Sequence, residues 1–65
     1  MNLIKKIKFN YLKKLITEYI ENKNFEKASE EIYNLKNSDP VVYYFVIKSI
    51  DDYLNDISNI NLHKK

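Results

Sequence analysis

The chain contains no cysteine, glycine, arginine or tryptophan, and Pro40 is its one proline. Without cysteine there is neither a disulfide framework nor a thiolate zinc site, so packing must stabilise the fold, alone or with a partner. Without glycine, the positive-φ turns that a small sheet depends on are poorly supplied, and no phosphate-cradling loop of the usual kind can form. Long hydrophobic runs are also missing. Lysines interrupt the apolar residues of the N-terminal stretch before a signal-peptide h-region can develop, and no run is long enough to span a bilayer. A start lacking Arg and Ser makes a poor organellar transit peptide, though Lys could substitute for Arg, so an organelle stays an alternative. The expectation is a soluble, folded, helical chain, cytoplasmic or otherwise intracellular and not secreted.

What is present supports a single small domain. A chain of 65 residues buries only about 60% of the surface its unfolded form exposes, so its stability is expected to be marginal. Hydrophobic residues make up 45%, with six tyrosines and three phenylalanines, too rich a mixture for a disordered chain. Lys, Asn, Ile and Tyr dominate, a bias that A/T-rich codons produce without selection for function. The net charge of +2 is too small to argue for a nucleic-acid partner. Its distribution says more: Lys5, Lys6, Lys8, Lys13 and Lys14 precede the first acidic residue, Glu18.

Periodicity predicts an all-α, three-helix unit: an antiparallel hairpin of helices over about 3–22 and 25–37, then a third packing helix over about 40–57. Residues 1–57 form the domain and 58–65 a frayed tail. In the first helix Tyr11/Leu12, Leu15/Ile16 and Tyr19/Ile20 recur every four residues behind Asn2, a cap candidate. Asn22-Lys23-Asn24 breaks the pattern, and Asn24 can cap a second helix whose Phe25, Ala28, Ile32 and Leu35 form the core stripe. Its other face is charged, with Lys27 and Glu31 spaced for an i,i+4 pair. Asp39 is the expected cap of the third helix, with Pro40 at the first helical position, where its missing N–H costs nothing. The run Val41 to Ile47 has strand-like composition. Tyr43, Ile47, Ile50, Leu54 and Ile57 nevertheless step +4, +3, +4, +3 through and beyond it, which favours helix.

This spacing resembles the tetratricopeptide repeat, whose pattern W-x2-L-G-x2-Y, A-x3-F-x2-A, P extends over 34 residues of helix–turn–helix. Leu12, Leu15, Ile16 and Tyr19, then Ala28, Ile32 and Leu35, then Pro40 fall at that spacing, and Leu15, Tyr19, Ala28 and Pro40 are identical to it. Shifting by 34 maps Phe9, Leu12, Ile16, Tyr19 and Ile20 onto Tyr43, Val46, Ile50, Tyr53 and Leu54. The resemblance covers about one and a half repeats and implies a helical hairpin plus the first helix of a second unit, in a protein-binding scaffold. Ile16 and Ile50 replace the small glycine, Leu35 an alanine and Ser49 a leucine, so helix spacing is expected to differ from the family's.

No catalytic constellation is visible, and no enzyme activity, metal, cofactor or small-molecule substrate is expected. His63 is the single histidine, and Asp52/Asp56 and Glu26/Glu30 are carboxylate pairs on helix faces expected to be wet. Two binding readings remain. If Tyr43, Ile47, Ile50 and Leu54 supply the seam for the other helices, then Tyr33, Val42, Tyr44, Phe45, Val46 and Tyr53, together with the polar tip of Tyr43, offer an apolar-aromatic surface. That surface suits another protein, in a homodimer or an obligate hetero-complex centred near Phe45, with the chain acting as a regulator, inhibitor or assembly subunit. The alternative is a minor subunit of a ribonucleoprotein or membrane-surface complex. In it Lys5, Lys6, Lys8, Lys13 and Lys14 contact RNA phosphates or anionic lipid, without Arg for bidentate base recognition.

Overall fold

Asn2 opens the fold by accepting the Lys5 N–H on its side-chain oxygen at 2.9 Å, which caps a helix spanning Leu3–Glu21 (α1). A computed structural model of the chain describes the backbone of residues 2–63 and the burial of residues 2–58. Among these residues the architecture is three helices, α1, then Phe25–Ser38 (α2), then Pro40–His63 (α3). The all-α, three-helix expectation is met.

The α1–α2 turn is closed by backbone alone. Lys23 N–H donates to the Ile20 carbonyl at 3.0 Å and Asn24 N–H to the Tyr19 carbonyl at 2.7 Å, with Lys23 in the left-handed region at φ 60°. These two bonds form the Schellman arrangement, which usually recruits glycine at the left-handed position. Asn24 stands at the N-cap of α2 as expected, but its side chain makes no capping hydrogen bond.

Asp39 joins α2 to α3. Its N–H donates to the Leu35 carbonyl at 2.8 Å, which ends α2, and its carbonyl accepts from Tyr43 N–H at 2.9 Å, which begins α3. Its Oδ1 also accepts from Val42 N–H at 3.3 Å, the expected cap, with Pro40 at the first helical position. The strand-like run Val41 to Ile47 is therefore helical throughout. Its β propensity is overridden by the cap and by tertiary packing.

Lys5 Nζ lies 3.3 Å from Asp39 Oδ1, and Lys8 Nζ 3.4 Å from Asp39 Oδ2. This pairing sets the start of α1 beside the α2–α3 junction, so α2 returns antiparallel to α1, and α3 sets off again in the direction of α1. Each helix packs against both others. The core consists of Ile16 from α1, Ala28 and Leu35 from α2, and Val42, Val46 and Ile50 from α3. Phe9, Leu12, Tyr19, Ile20, Ile32 and Tyr43 close around it, each partly buried.

Several details differ from the sequence-based expectations. On α3 the core line is Val42–Val46–Ile50, one residue out of step with the expected Tyr43–Ile47 line. Val42 and Val46 are 0% exposed and belong to the core, not to a free surface. Compact β-branched side chains fit where three helices converge, whereas Tyr43 sits at the margin, where its hydroxyl can reach water. Phe25 is 58% exposed at the start of α2, so only Ala28, Leu35 and partly buried Ile32 of its stripe pack inward. Among the described residues the two pairs on Asp39 are the only ion pairs, and Lys27 and Glu31 form none.

α3 continues to His63, past the end expected at about residue 57; Lys64 and Lys65 lie outside the described residues. A helix of 24 residues is about 36 Å long against about 21 Å for the 14 residues of α2. Carrying the 34-residue offset of Lys5 and Asp39 along the two helices sets Glu21 about level with Asn55. The end of α3 therefore projects beyond the hairpin, which leaves Ile57 exposed although its spacing continues the apolar stripe; Leu54, level with Ile20, is exposed as well.

Candidate interaction surface

Six residues form the buried core, while eleven large apolar side chains are exposed among the described residues. A three-helix unit of this length cannot enclose them all, because each helix has one inward stripe and these sequences carry more than one stripe of apolar residues. Seven of the eleven fall on two surfaces.

The first is the outer side of the N-terminal half of α3, where Val41, Tyr44 and Phe45 are exposed. Tyr44 and Phe45 meet edge to face, with ring centroids 5.4 Å apart and planes at 81°, a favoured aromatic geometry. Phe45 is 40% exposed beside the buried Val46. Of the seven aromatic and apolar residues expected to bind a partner, Tyr33, Tyr44 and Phe45 are exposed, Tyr43 and Tyr53 are half-buried, and Val42 and Val46 are withdrawn into the core. Tyr33 stands apart from the others on α2.

The second surface was not anticipated. On α1, Leu3, Ile4, Ile7 and Tyr11 are all exposed, Ile4 by 78% and Tyr11 by 65%. Ile4, Ile7 and Tyr11 step +3 and +4 along a line offset from the core-facing Leu12, Ile16 and Ile20. The same spacing stands in the sequence, where the lysines between its members mask it. Between Tyr11, Lys14, Leu15 and Glu18 lies an open recess of about 250 Å³.

The lysines divide into two groups. Lys5 and Lys8 are engaged on Asp39, and Lys13 sits over the Phe9 ring at 5.4 Å in a cation–π contact. Lys6 and Lys14 are exposed without an ion pair within 4 Å. The five lysines thus differ in their partners: Asp39 takes two and the Phe9 ring one. Asp39 has its carboxyl held below the ordinary carboxylate range, chiefly by the Val42 N–H bond, then by the Lys5 bond and charge and by Lys8, with partial desolvation opposing.

The charges of α1 run against its own axial field. Its first turn has no acidic residue and its last turn no basic one: Lys5 and Lys6 stand at the positive N-terminal end, Glu18 and Glu21 at the negative C-terminal end. α2 shows the favourable order, with Glu26 in its first turn and Lys36 in its last.

Among the described residues no group of three or more His, Asp or Glu side chains is placed to hold a metal ion, and no helix is long and apolar enough to cross a membrane. The side chain of His63 is not among those described. Compared with known protein families, curated proteins and solved structures, the chain has no significant match.

Proposed function

We propose that the chain is a non-catalytic helical interaction module that works by binding another protein, as a regulator, inhibitor or assembly subunit. The observation that carries this reading is that seven of the eleven exposed large apolar side chains lie in helical register on two faces. Scattered single hydrophobic residues on a surface need no explanation, but contiguous stripes on a soluble domain mark contact sites. The resemblance to tetratricopeptide hairpins adds support, since such units bury their apolar faces only against neighbours.

The contact face proposed for a foreign partner is Val41, Tyr44 and Phe45 on α3. Rigid aromatic side chains lose little conformational entropy on docking, and this pair is already ordered edge to face. Contact with RNA phosphates or anionic lipid through the lysines ranks below this reading, because Asp39 offsets part of the charge that Lys5 and Lys8 carry. The test is capture of partners by the tagged chain from its own cells, run beside Phe45→Glu. The variant should keep the helicity of the wild type and lose the captured protein. A partner retained equally by both chains would remove α3 from the account.

A further inference from the structure

The recess on α1 has the outline of a helix-packing site. Tyr11, Lys14, Leu15 and Glu18 line it, at positions i, i+3, i+4 and i+7. Those are the four corners of the hole that receives one side chain of a facing helix in knobs-into-holes packing. Ile4 and Ile7 continue the same face toward the N-terminus, both exposed, so the stripe extends over about three turns. Phe9, Leu12, Ile16 and Ile20 turn the opposite side of α1 into the core, which presents this stripe outward.

Charge order indicates which helix would fit. Every lysine of α1 lies at or before Lys14, and its only acids, Glu18 and Glu21, lie after it. Within one chain this order gains nothing from the helix dipole and makes no ion pair at the acidic end. An antiparallel partner helix with the same order reverses both effects. Its lysine-rich half faces the half that carries Glu18 and Glu21, its acids face the lysine-rich end, and the two dipoles oppose. A parallel partner would set five lysines against five.

We infer that two copies of the chain associate through α1, antiparallel about a two-fold axis near Lys13, with Tyr11 of each copy entering the recess of the other. In this register Lys8 of one copy faces Glu18 of the second, and Ile4 lies opposite Glu21. The Lys8 ammonium has three donors, so it can hold Asp39 and meet a second carboxylate. Burying Tyr11 with its hydroxyl between Lys14 and Glu18 leaves that group a partner. The inference rests on reading the exposed stripes as contact sites, and it leaves the α3 face free for a foreign protein.

Sedimentation equilibrium of the full chain, from low micromolar to near-millimolar concentration, should show a monomer–dimer equilibrium. Tyr11→Glu should raise its dissociation constant at least about tenfold while leaving the helical circular dichroism unchanged. Glu18→Lys with Glu21→Lys should weaken it too, more at low salt than at high. Because the chain has no cysteine, orientation can be read directly: an equimolar mixture of Ile4→Cys and Glu21→Cys chains should oxidise to the mixed disulfide. A monomer at every concentration, a dimer indifferent to Tyr11→Glu, or preferential Ile4→Cys self-disulfide would each overturn the inference. So would Tyr11-dependent retention on anionic vesicles or RNA by a chain that stays monomeric. If Phe45→Glu and not Tyr11→Glu dissociates the dimer, the α1 site fails while the interaction reading stands. If Tyr11→Glu abolishes the dimer and Phe45→Glu changes neither association nor capture, the α1 site stands and the α3 reading fails.

Discussion

Lys5 and Asp39 are 34 residues apart and their charged groups meet at 3.3 Å, which ties the first turn of α1 to the junction between α2 and α3. The same carboxylate caps α3 through Val42 N–H and takes Lys8 on its other oxygen. One side chain thus serves two elements, because it caps the third helix and pairs with two lysines of the first.

This arrangement makes stability depend on acid. The folded-state carboxyl of Asp39 titrates below its usual value, so its contribution is present above the unfolded pKa of about 3.9 and is lost as pH falls through the folded value. Thermal melts between neutral pH and pH 2 should show this loss. Asp39→Asn keeps a cap acceptor and removes the charge, so it should lower the melting temperature at neutral pH modestly and reduce the acid dependence. Asp39→Ala removes both and should lower it further. An acid limb of equal size in wild type and Asp39→Asn would mean that other carboxylates govern it.

Much of this junction was legible in the sequence. Asp39-Pro40 is a cap followed by a first-turn proline, and Asn2 stands before an apolar-periodic run; both signals are local and both hold. The rotation of each helix about its axis was harder to read. On α3 two apolar lines, Val42–Val46–Ile50 and Tyr43–Ile47–Ile50, share a member and differ by one residue at the start. Choosing between them depends on how closely the other helices approach, which is a property of Ala28 and Ile16 on different segments. The α1 stripe was passed over because Lys5, Lys6 and Lys8 break it in sequence while leaving it continuous in space. Ion pairing at long range has no sequence signal either, so the lysine cluster read as a single basic patch.

The core line on α3 can be tested against the neighbouring surface residue. Val46 is fully buried and Phe45 is not. Val46→Ala deletes two methyl groups from a closed site and should cost roughly 2 kcal/mol, transfer and cavity combined. A core in a chain this short supplies no more than about 3–5 kcal/mol, so that single change should remove much of the stability. Val46→Asp should leave an unpaired buried charge and no folded state. Phe45→Glu, one position away, should melt within a few degrees of Tyr11→Glu alone when it is made in that monomeric background. Equal losses at 45 and 46 would show that the helix is rotated from the orientation described.

Lys23 offers the clearest route to a more stable chain. Its φ of 60° at the Schellman turn brings its Cβ close to the following carbonyl oxygen, a conformation that costs a non-glycine residue about 1–2 kcal/mol. Lys23→Gly removes that crowding. Two effects oppose the gain: glycine makes the unfolded chain more flexible, and the substitution removes a positive charge from the C-terminal end of α1, where it is worth a few tenths of a kcal/mol. The net gain should be about 0.5–1 kcal/mol, a rise of roughly 2–8 °C in melting temperature for a domain of this size. Lys23→Ala loses the same charge without relieving the backbone, so it should melt at or slightly below wild type, and Lys23→Val, with its branched Cβ, lower again. The order Gly above Lys, with Ala and Val below, separates backbone strain from charge. If Gly and Ala prove equally stable, the left-handed turn is not what limits this hairpin.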